Sequence, residues 1–202
     1  MTGRGDDTRW RARTVAIDDP GPLADYLAGP DSIAWLRRGE GVVGLGVAAS
    51  ASVSSLDEGN AWWSDLAARI DHDTEVPGAW GSGPLAFGSF AFDPATSPDC
   101  SVVVVPRVLI GRQGSRSWLT VLHRAGEAPK ASELPQRHTP TAPSYPVIDD
   151  SPEQQTAWAE QVAHLVRRLA DAANPLEKVV LARGVRVRTS APLDTRAVVE
   201  RL

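Results

Sequence analysis

Apolar and polar residues alternate along several stretches of the chain, and this pattern predicts a fold built mainly of strands. Short apolar runs or two-residue alternation, bounded by glycine, proline and polar residues, indicate strands because successive side chains of a strand point to opposite faces. These segments are residues 15–17, 32–37, 42–48, 81–92, 101–110 and 117–123. The short polar connections within 32–48 and within 101–123 predict two antiparallel hairpins.

Two segments carry apolar residues at the three- and four-residue spacing of an amphipathic helix. The first covers residues 56–70 and follows Ser55, which forms a capping box with Glu58. The second follows Ser151, where Gln154 completes the same motif, and it ends before an Asn-Pro pair. Both helices are expected to lie on a sheet and to bury one face.

The C-terminal part of the chain contains the segment on which the functional interpretation depends. Val179–Leu181 is a β-branched apolar run that predicts a largely buried strand, with Lys178 at its head. Residues 185–188 alternate as a half-exposed continuation. Residues 193–202 predict a further helix with Asp194 as its cap.

Lys178 is an unusual residue for a buried strand. The chain has only two lysines among its 21 lysine and arginine residues, and only lysine can lose its proton and act as a base near neutral pH. On a strand, Lys178 and Ala182 would share one face, where the small alanine leaves room for a ligand ring. The spacing alone favours the other interpretation, a lysine at a strand end whose amine reaches water.

Two stretches resemble the chorismate-utilising enzymes, and within them the isochorismate synthases. They are Leu176–Arg183, which reads LEKVVLAR, and Gly83–Pro94, which reads GPLAFGSFAFDP. In that family the lysine matching Lys178 is the general base that activates a water molecule for attack on C2 of chorismate. Anthranilate and aminodeoxychorismate synthases typically carry glutamine there, because ammonia replaces water as the nucleophile.

The resemblance implies an α/β fold of the α+β type, with large, mostly antiparallel sheets flanked by helices. Residues 1–202 would form the N-terminal part of a single chorismate-binding domain, incomplete here, with a proline-rich loop over residues 126–146. The implied reaction is the magnesium-dependent conversion of chorismate to isochorismate. In the family the general acid and the magnesium ligands are glutamates of the C-terminal half, so we expect no metal ligand in this chain and almost no activity from it alone.

Two alternatives remain open at this stage. A salicylate synthase of the same family would also eliminate pyruvate, and a non-catalytic half-domain would instead bind a partner. The sequence does not distinguish a role in siderophore synthesis from one in quinone synthesis. The resemblance also implies a monomer when the domain is complete.

Composition and charge exclude several other classes of protein. A formal net charge of −4 gives no basic surface for nucleic acid. The single cysteine fits a reducing cytoplasm, and neither a signal peptide nor a membrane-spanning apolar run is expected. Gly44-x-Gly46 resembles a loose dinucleotide motif, but the residues after it do not predict a helix start, so strand packing is favoured. The Asp71-His72-Asp73 run is interpreted as a polar turn rather than a metal site.

Overall fold

The computed structural model describes residues 9–27, 29, 31–97, 99–127, 134–141, 147–171 and 173–199. The chain divides into two compact units. The first comprises Met1–Pro140 with Val198–Leu202, and the second comprises Thr141–Ala197.

The first unit is a seven-stranded sheet with one helix and one short 3-10 turn. Its elements are β1 (Trp10–Ile17), the 3-10 turn (Leu23–Tyr26), β2 (Ser32–Arg37), β3 (Glu40–Val53), α1 (Leu56–Ala67), β4 (Ile70–Thr74), β5 (Phe87–Ser89), β6 (Ser101–Gln113) and β7 (Arg116–Arg124). The strands are ordered β2-β3-β6-β7-β1-β4, and β5 pairs with β6 off this path.

The sheet is mixed but mostly antiparallel. Among the described strands of this unit, β1 and β4 pair in parallel and every other pairing is antiparallel. Both predicted hairpins form: β2 turns into β3 at Arg38-Gly39, and β6 turns into β7 at Gly114-Ser115. The expected α+β class, a large sheet flanked by few helices, is therefore confirmed.

Pro106 lies inside the longest strand pairing and is accommodated by a bulge. Val47 pairs with Pro106 and the next pair is Ala49 with Val105, so Ala48 is the extra residue of β3. A Cβ placed on Gly44 would lie 2.4 Å from Cγ of Pro106, so the proline ring requires a glycine on the facing strand. β3 continues to Val53 without a helix start, and the glycines there serve strand packing, as the sequence favoured.

The two faces of the sheet bury different clusters. On one face, Val43, Ile110 and Leu119 are aligned across three strands and are covered by Leu23 and Tyr26 of the 3-10 turn. On the other face α1 and the segment after β4 cover two clusters. Their buried members are Trp10, Ala12, Val42, Leu66, Val76, Ala79, Val105, Trp118 and Leu122.

Three predictions for the first unit were wrong or incomplete. The Asp71-His72-Asp73 run is not a turn but the centre of β4, where each residue pairs with β1. α1 ends at Ala67, so Ile70 opens β4 instead of closing the helix. Within 81–92 only Phe87–Ser89 forms a strand. Sequence patterns missed β4 because its polar residues pair at the sheet edge, where alternation with buried residues is not required.

The second unit contains a two-stranded ribbon and a long helix. Its elements are β8 (Val147–Asp149), α2 (Pro152–Ala170) and β9 (Arg186–Arg188). The short helix α3 (Thr195–Val199) begins in this unit, and its last two residues belong to the first unit. β8 and β9 pair antiparallel. The predicted capping box of Ser151 and Gln154 is present.

Residues 134–141 of the predicted proline-rich loop are irregular. Residues 128–133 and 142–146 of that loop lie outside the described residues, and so do residues 200–202 of the predicted last helix.

Asp194 is expected to make folding of this part of the chain sensitive to acid. Hydrogen bonds from the Arg196 guanidinium and the Thr141 N–H, each 2.8 Å, lower the pKa of its carboxyl well below the usual value of 3.8. A depressed folded pKa stabilises the fold above the unfolded value, and this stabilisation is lost as pH falls through the folded pKa.

The measurement compares thermal unfolding of the chain with that of Asp194→Asn. The variant should unfold at a lower temperature at about pH 6, and the difference should shrink below about pH 4. A difference that stays constant down to about pH 2 would contradict this assignment.

Candidate functional site

The segment that carries Lys178 is not a strand in the structure. Residues 174–185 have no regular secondary structure, and Lys178 is exposed. Ala182 is exposed as well, and Val180 keeps 81% of its accessible surface. The prediction of a buried strand was therefore wrong for this chain. A strand needs a neighbour for its N–H and C=O groups, and no described residue pairs with this segment.

Local contacts nevertheless fix the course of this segment. The side chain of Asn174 accepts a hydrogen bond of 3.1 Å from the N–H of Leu176, which turns the chain after α2. Further on, Arg183 forms an ion pair with Asp150, and both side chains are about three-quarters buried. Arg183 thus has a structural role, because it ties the segment to the start of α2.

The second unit leaves most of its apolar residues uncovered. α2 has no buried residue, although its sequence predicts a core-facing stripe. The exposed apolar residues of this unit are Val147, Ile148, Val162, Val166, Leu169, Leu176, Val180, Leu181, Val185, Val187 and Leu193. The apolar pattern that predicted burial is present, but the described residues supply no surface to bury it against.

The phenylalanine-rich segment has a mixed role. Phe90 packs against the helix, because a Cβ on Gly59 would lie 3.0 Å from its ring, yet 38% of Phe90 is exposed and Phe92 is fully exposed. The segment therefore contributes only in part to the core. Asp93 accepts hydrogen bonds from the Ala95 N–H and the Thr96 hydroxyl, which form a local turn.

A cluster of charged residues that the sequence analysis did not identify lies at the turn between β2 and β3. Two cavities of about 340 and 800 Å³ share Asp19, Arg38 and Arg112 as lining residues. Asp19 accepts hydrogen bonds from the Gly21 N–H (2.9 Å) and from Arg112 (3.0 Å), and these lower the pKa of its carboxyl. The signal that the sequence offered for this cluster was Arg37-Arg38-Gly39. A two-residue hairpin turn at Arg38-Gly39 requires positive φ angles, which an arginine rarely adopts.

The arginines near the β6–β7 hairpin are engaged in structure rather than in a common anion site. Arg112 donates to the carbonyl oxygen of Gly39 and to Asp19, Arg107 donates to the carbonyl oxygen of Val47, and Arg124 lies 4.5 Å over the Trp10 ring. Of these, Arg112 also lines the two cavities beside Asp19 and Arg38.

Lys178 lines none of the three cavities described here; the third, of about 460 Å³, lies around Ser54, Glu58 and Cys100. Among the described residues, no group of three or more His, Cys, Asp or Glu side chains could hold a metal ion. His72 instead meets the Thr14 hydroxyl at 2.9 Å, and Asp73 pairs with Arg13. The magnesium that the family resemblance implies therefore has no fitting set of ligands in this part of the chain.

None of the described helices is both long enough and apolar enough to cross a lipid bilayer.

Comparison with known proteins gives a match to one protein family. A family model described as "Chorismate binding enzyme" matches residues 32–202, which includes both the glycine- and phenylalanine-rich segment and the segment around Lys178. Neither the curated proteins nor the solved structures contain a significant match.

Proposed function

The chain belongs to the chorismate-binding enzyme family, and from that premise we propose that it derives from an isochorismate synthase, which converts chorismate to isochorismate. The observation that carries the proposal is the lysine at position 178 in the LEKVVLAR segment. Members that use ammonia typically carry glutamine at the matching position, so lysine favours water as the nucleophile.

In this proposal Lys178 acts as a general base. Its neutral amine takes a proton from water while the water oxygen bonds to C2 of chorismate. The ring double bonds shift, and the hydroxyl at C4 leaves with a proton from an acid. The product has the same atoms as the substrate, so the reaction is an isomerisation. A lysine performs this role only where burial or neighbouring cations favour its neutral form.

The described residues do not supply those surroundings. Lys178 is exposed, its segment has no neighbouring strand, and no cluster of carboxylates lies among the described residues to hold magnesium. We therefore derive no step through the metal. We propose that the acid, the magnesium ligands and the cover over Lys178 come from outside these residues, and that the 202 residues alone are nearly inactive.

The same premise leaves salicylate synthesis as the closest alternative, since it begins with the same attack of water. A non-catalytic half-domain is favoured by a different observation, the exposure of Lys178 and of the apolar residues around it. We further propose a cytoplasmic monomer whose product feeds siderophore or quinone synthesis.

Product analysis distinguishes these possibilities. Chorismate and magnesium are incubated with the polypeptide as its gene encodes it and, separately, with the 202-residue chain, and the products are separated by chromatography. We expect isochorismate from the polypeptide as its gene encodes it and almost none from the 202-residue chain. Salicylate with an equal amount of pyruvate would identify a salicylate synthase. Unchanged chorismate in both would support the non-catalytic alternative, and rapid turnover by the 202 residues would overturn the proposal that they are nearly inactive.

A further inference from the structure

We propose that the turn between β2 and β3 forms a binding site for a small organic anion, with Arg38 as the residue that holds the anionic group. The site consists of the cavities of about 340 and 800 Å³ that meet at Asp19, Arg38 and Arg112. It is built from residues other than Lys178, so it stands apart from the function proposed above.

The backbone of Arg38 is the first reason to expect a ligand here. Its φ angle is +53°, and it is the one non-glycine residue with positive φ among the residues that the structure describes. Arg37 pairs with Glu40, so Arg38 and Gly39 form a two-residue turn with both φ angles positive. Asn-Gly and Gly-Gly are the preferred sequences for such turns because a Cβ is strained there. Strain at one residue with a large charged side chain points to a role for that side chain.

The guanidinium groups of Arg37 and Arg38 are available to a ligand. Neither has a hydrogen bond or an ion pair to any residue that the structure describes, and both residues line the larger cavity. Arg112 lies beside them but is fixed by the carbonyl oxygen of Gly39 and by Asp19. Three arginines and one aspartate thus line this cavity, and the imbalance of charge favours an anion.

A fourth arginine adds to the positive charge. A Cβ placed on Gly21 would lie 2.2 Å from Nη1 of Arg137, so this guanidinium reaches the wall of the larger cavity. Glu40 lines only the smaller cavity, and its carboxylate accepts a hydrogen bond from the Gly114 N–H.

The remaining wall of the larger cavity indicates what the anion is attached to. It is apolar, and its residues are Pro22, Leu23, Ala24, Ala34, Leu36 and Val199. A volume of about 800 Å³ lies within the range of small-molecule sites, which combine apolar walls with a few oriented polar groups. Arginine holds planar carboxylates through two parallel hydrogen bonds. The expected ligand is therefore a carboxylate on an apolar ring or chain.

The test uses benzoate as the probe, with benzamide and inorganic phosphate as comparison compounds. Benzamide has the ring without the charge, and phosphate has the charge without the ring. Titration of the isotope-labelled chain by NMR should show benzoate shifting the amide signals of Ala34 and Gly39, with both comparison compounds at least about fivefold weaker. Equal binding of all three compounds, or no shift at Gly39 with benzoate, would overturn the proposal.

Arg38→Asn separates a binding role from a structural one. Asparagine suits the turn better, so the unfolding temperature should rise, by roughly 2–4 °C for a unit of this size if the strain is relieved. Binding of benzoate should weaken by about tenfold or more, because a charged hydrogen-bond partner is lost. A variant that gains stability and keeps its affinity would overturn the proposal.

Two further variants complete the design. Arg11→Asn removes an exposed arginine from β1 and should leave benzoate binding unchanged, which controls for net charge. If Arg38→Asn fails to fold, Arg38→Gly tests the same loss with a residue that accepts positive φ. Undiminished affinity in a folded Arg38→Gly would likewise contradict the proposal, and loss of binding in Arg11→Asn would reduce it to a general effect of charge.

Discussion

Replacing Lys178 with alanine is expected to lower isochorismate formation by about 10²- to 10⁴-fold, which is the usual contribution of a general base. The measurement is the initial rate of isochorismate formation by the polypeptide as its gene encodes it, before and after substitution. Because Lys178 is exposed in the structure, the substitution should change the free energy of unfolding of the 202-residue chain by no more than about 0.5 kcal/mol.

Lys178→Arg is the matched control for charge. Arginine keeps the positive charge and most of the length but cannot give up its proton near neutral pH. If Lys178 only presents a charge to the substrate carboxylates, the arginine variant should retain most of the rate. If Lys178 is a base, the arginine variant should be as inactive as the alanine variant. Full activity of Lys178→Arg would therefore refute the role proposed for this residue.

Replacing Trp118 with alanine is expected to destabilise the first unit by about 3–5 kcal/mol, because it removes a large core side chain and leaves a cavity. Trp118 is completely buried and packs over Gly111, where a Cβ would lie 2.3 Å from its ring. Its indole N–H also donates to the carbonyl oxygen of Gly81 at 3.2 Å. Such a loss is a large part of the roughly 5–15 kcal/mol that stabilises an ordinary domain.

Urea unfolding of Trp118→Ala and Trp35→Ala provides the measurement. Trp35 lies on the edge strand β2 and is 67% exposed, so its replacement should cost only roughly 0.5 kcal/mol. The slope of the unfolding free energy against urea concentration should stay the same in both variants if the unfolded state is unchanged. Equal destabilisation by the two substitutions would contradict the core that the structure assigns to Trp118.

The apolar pattern predicted most of the first unit because its period is set by local geometry. The hairpins 32–48 and 101–123 and the capping box at Ser55 all depend on residues close in sequence. β4 was missed because Asp71, His72 and Asp73 are polar residues whose strand conformation comes from pairing with β1. That pairing joins residues about sixty positions apart, and no local pattern encodes it.

The difference between local patterns and contacts of distant residues also explains which candidate site residues could be predicted. Lys178 was identified from residue type and resemblance, but its predicted strand is not formed, because a strand requires a partner and the described residues provide none. Arg38 was not identified, although its turn is local, since the cavities beside it form only when β2, β3, β6 and the segment around Asp19 come together.

The sequence by itself predicted the strands and helices of the first unit from periodicity. It gave the α+β class, the family and the residue proposed as the base through the resemblance of two short motifs, because these depend on residue types that lie close together. The tertiary structure decided which apolar residues are buried and which polar residues meet. Burial and charge clustering depend on distances between segments remote in sequence. For that reason Val180 and Leu181 are exposed while Trp118 is buried, although all three are apolar residues that the sequence pattern placed in strands.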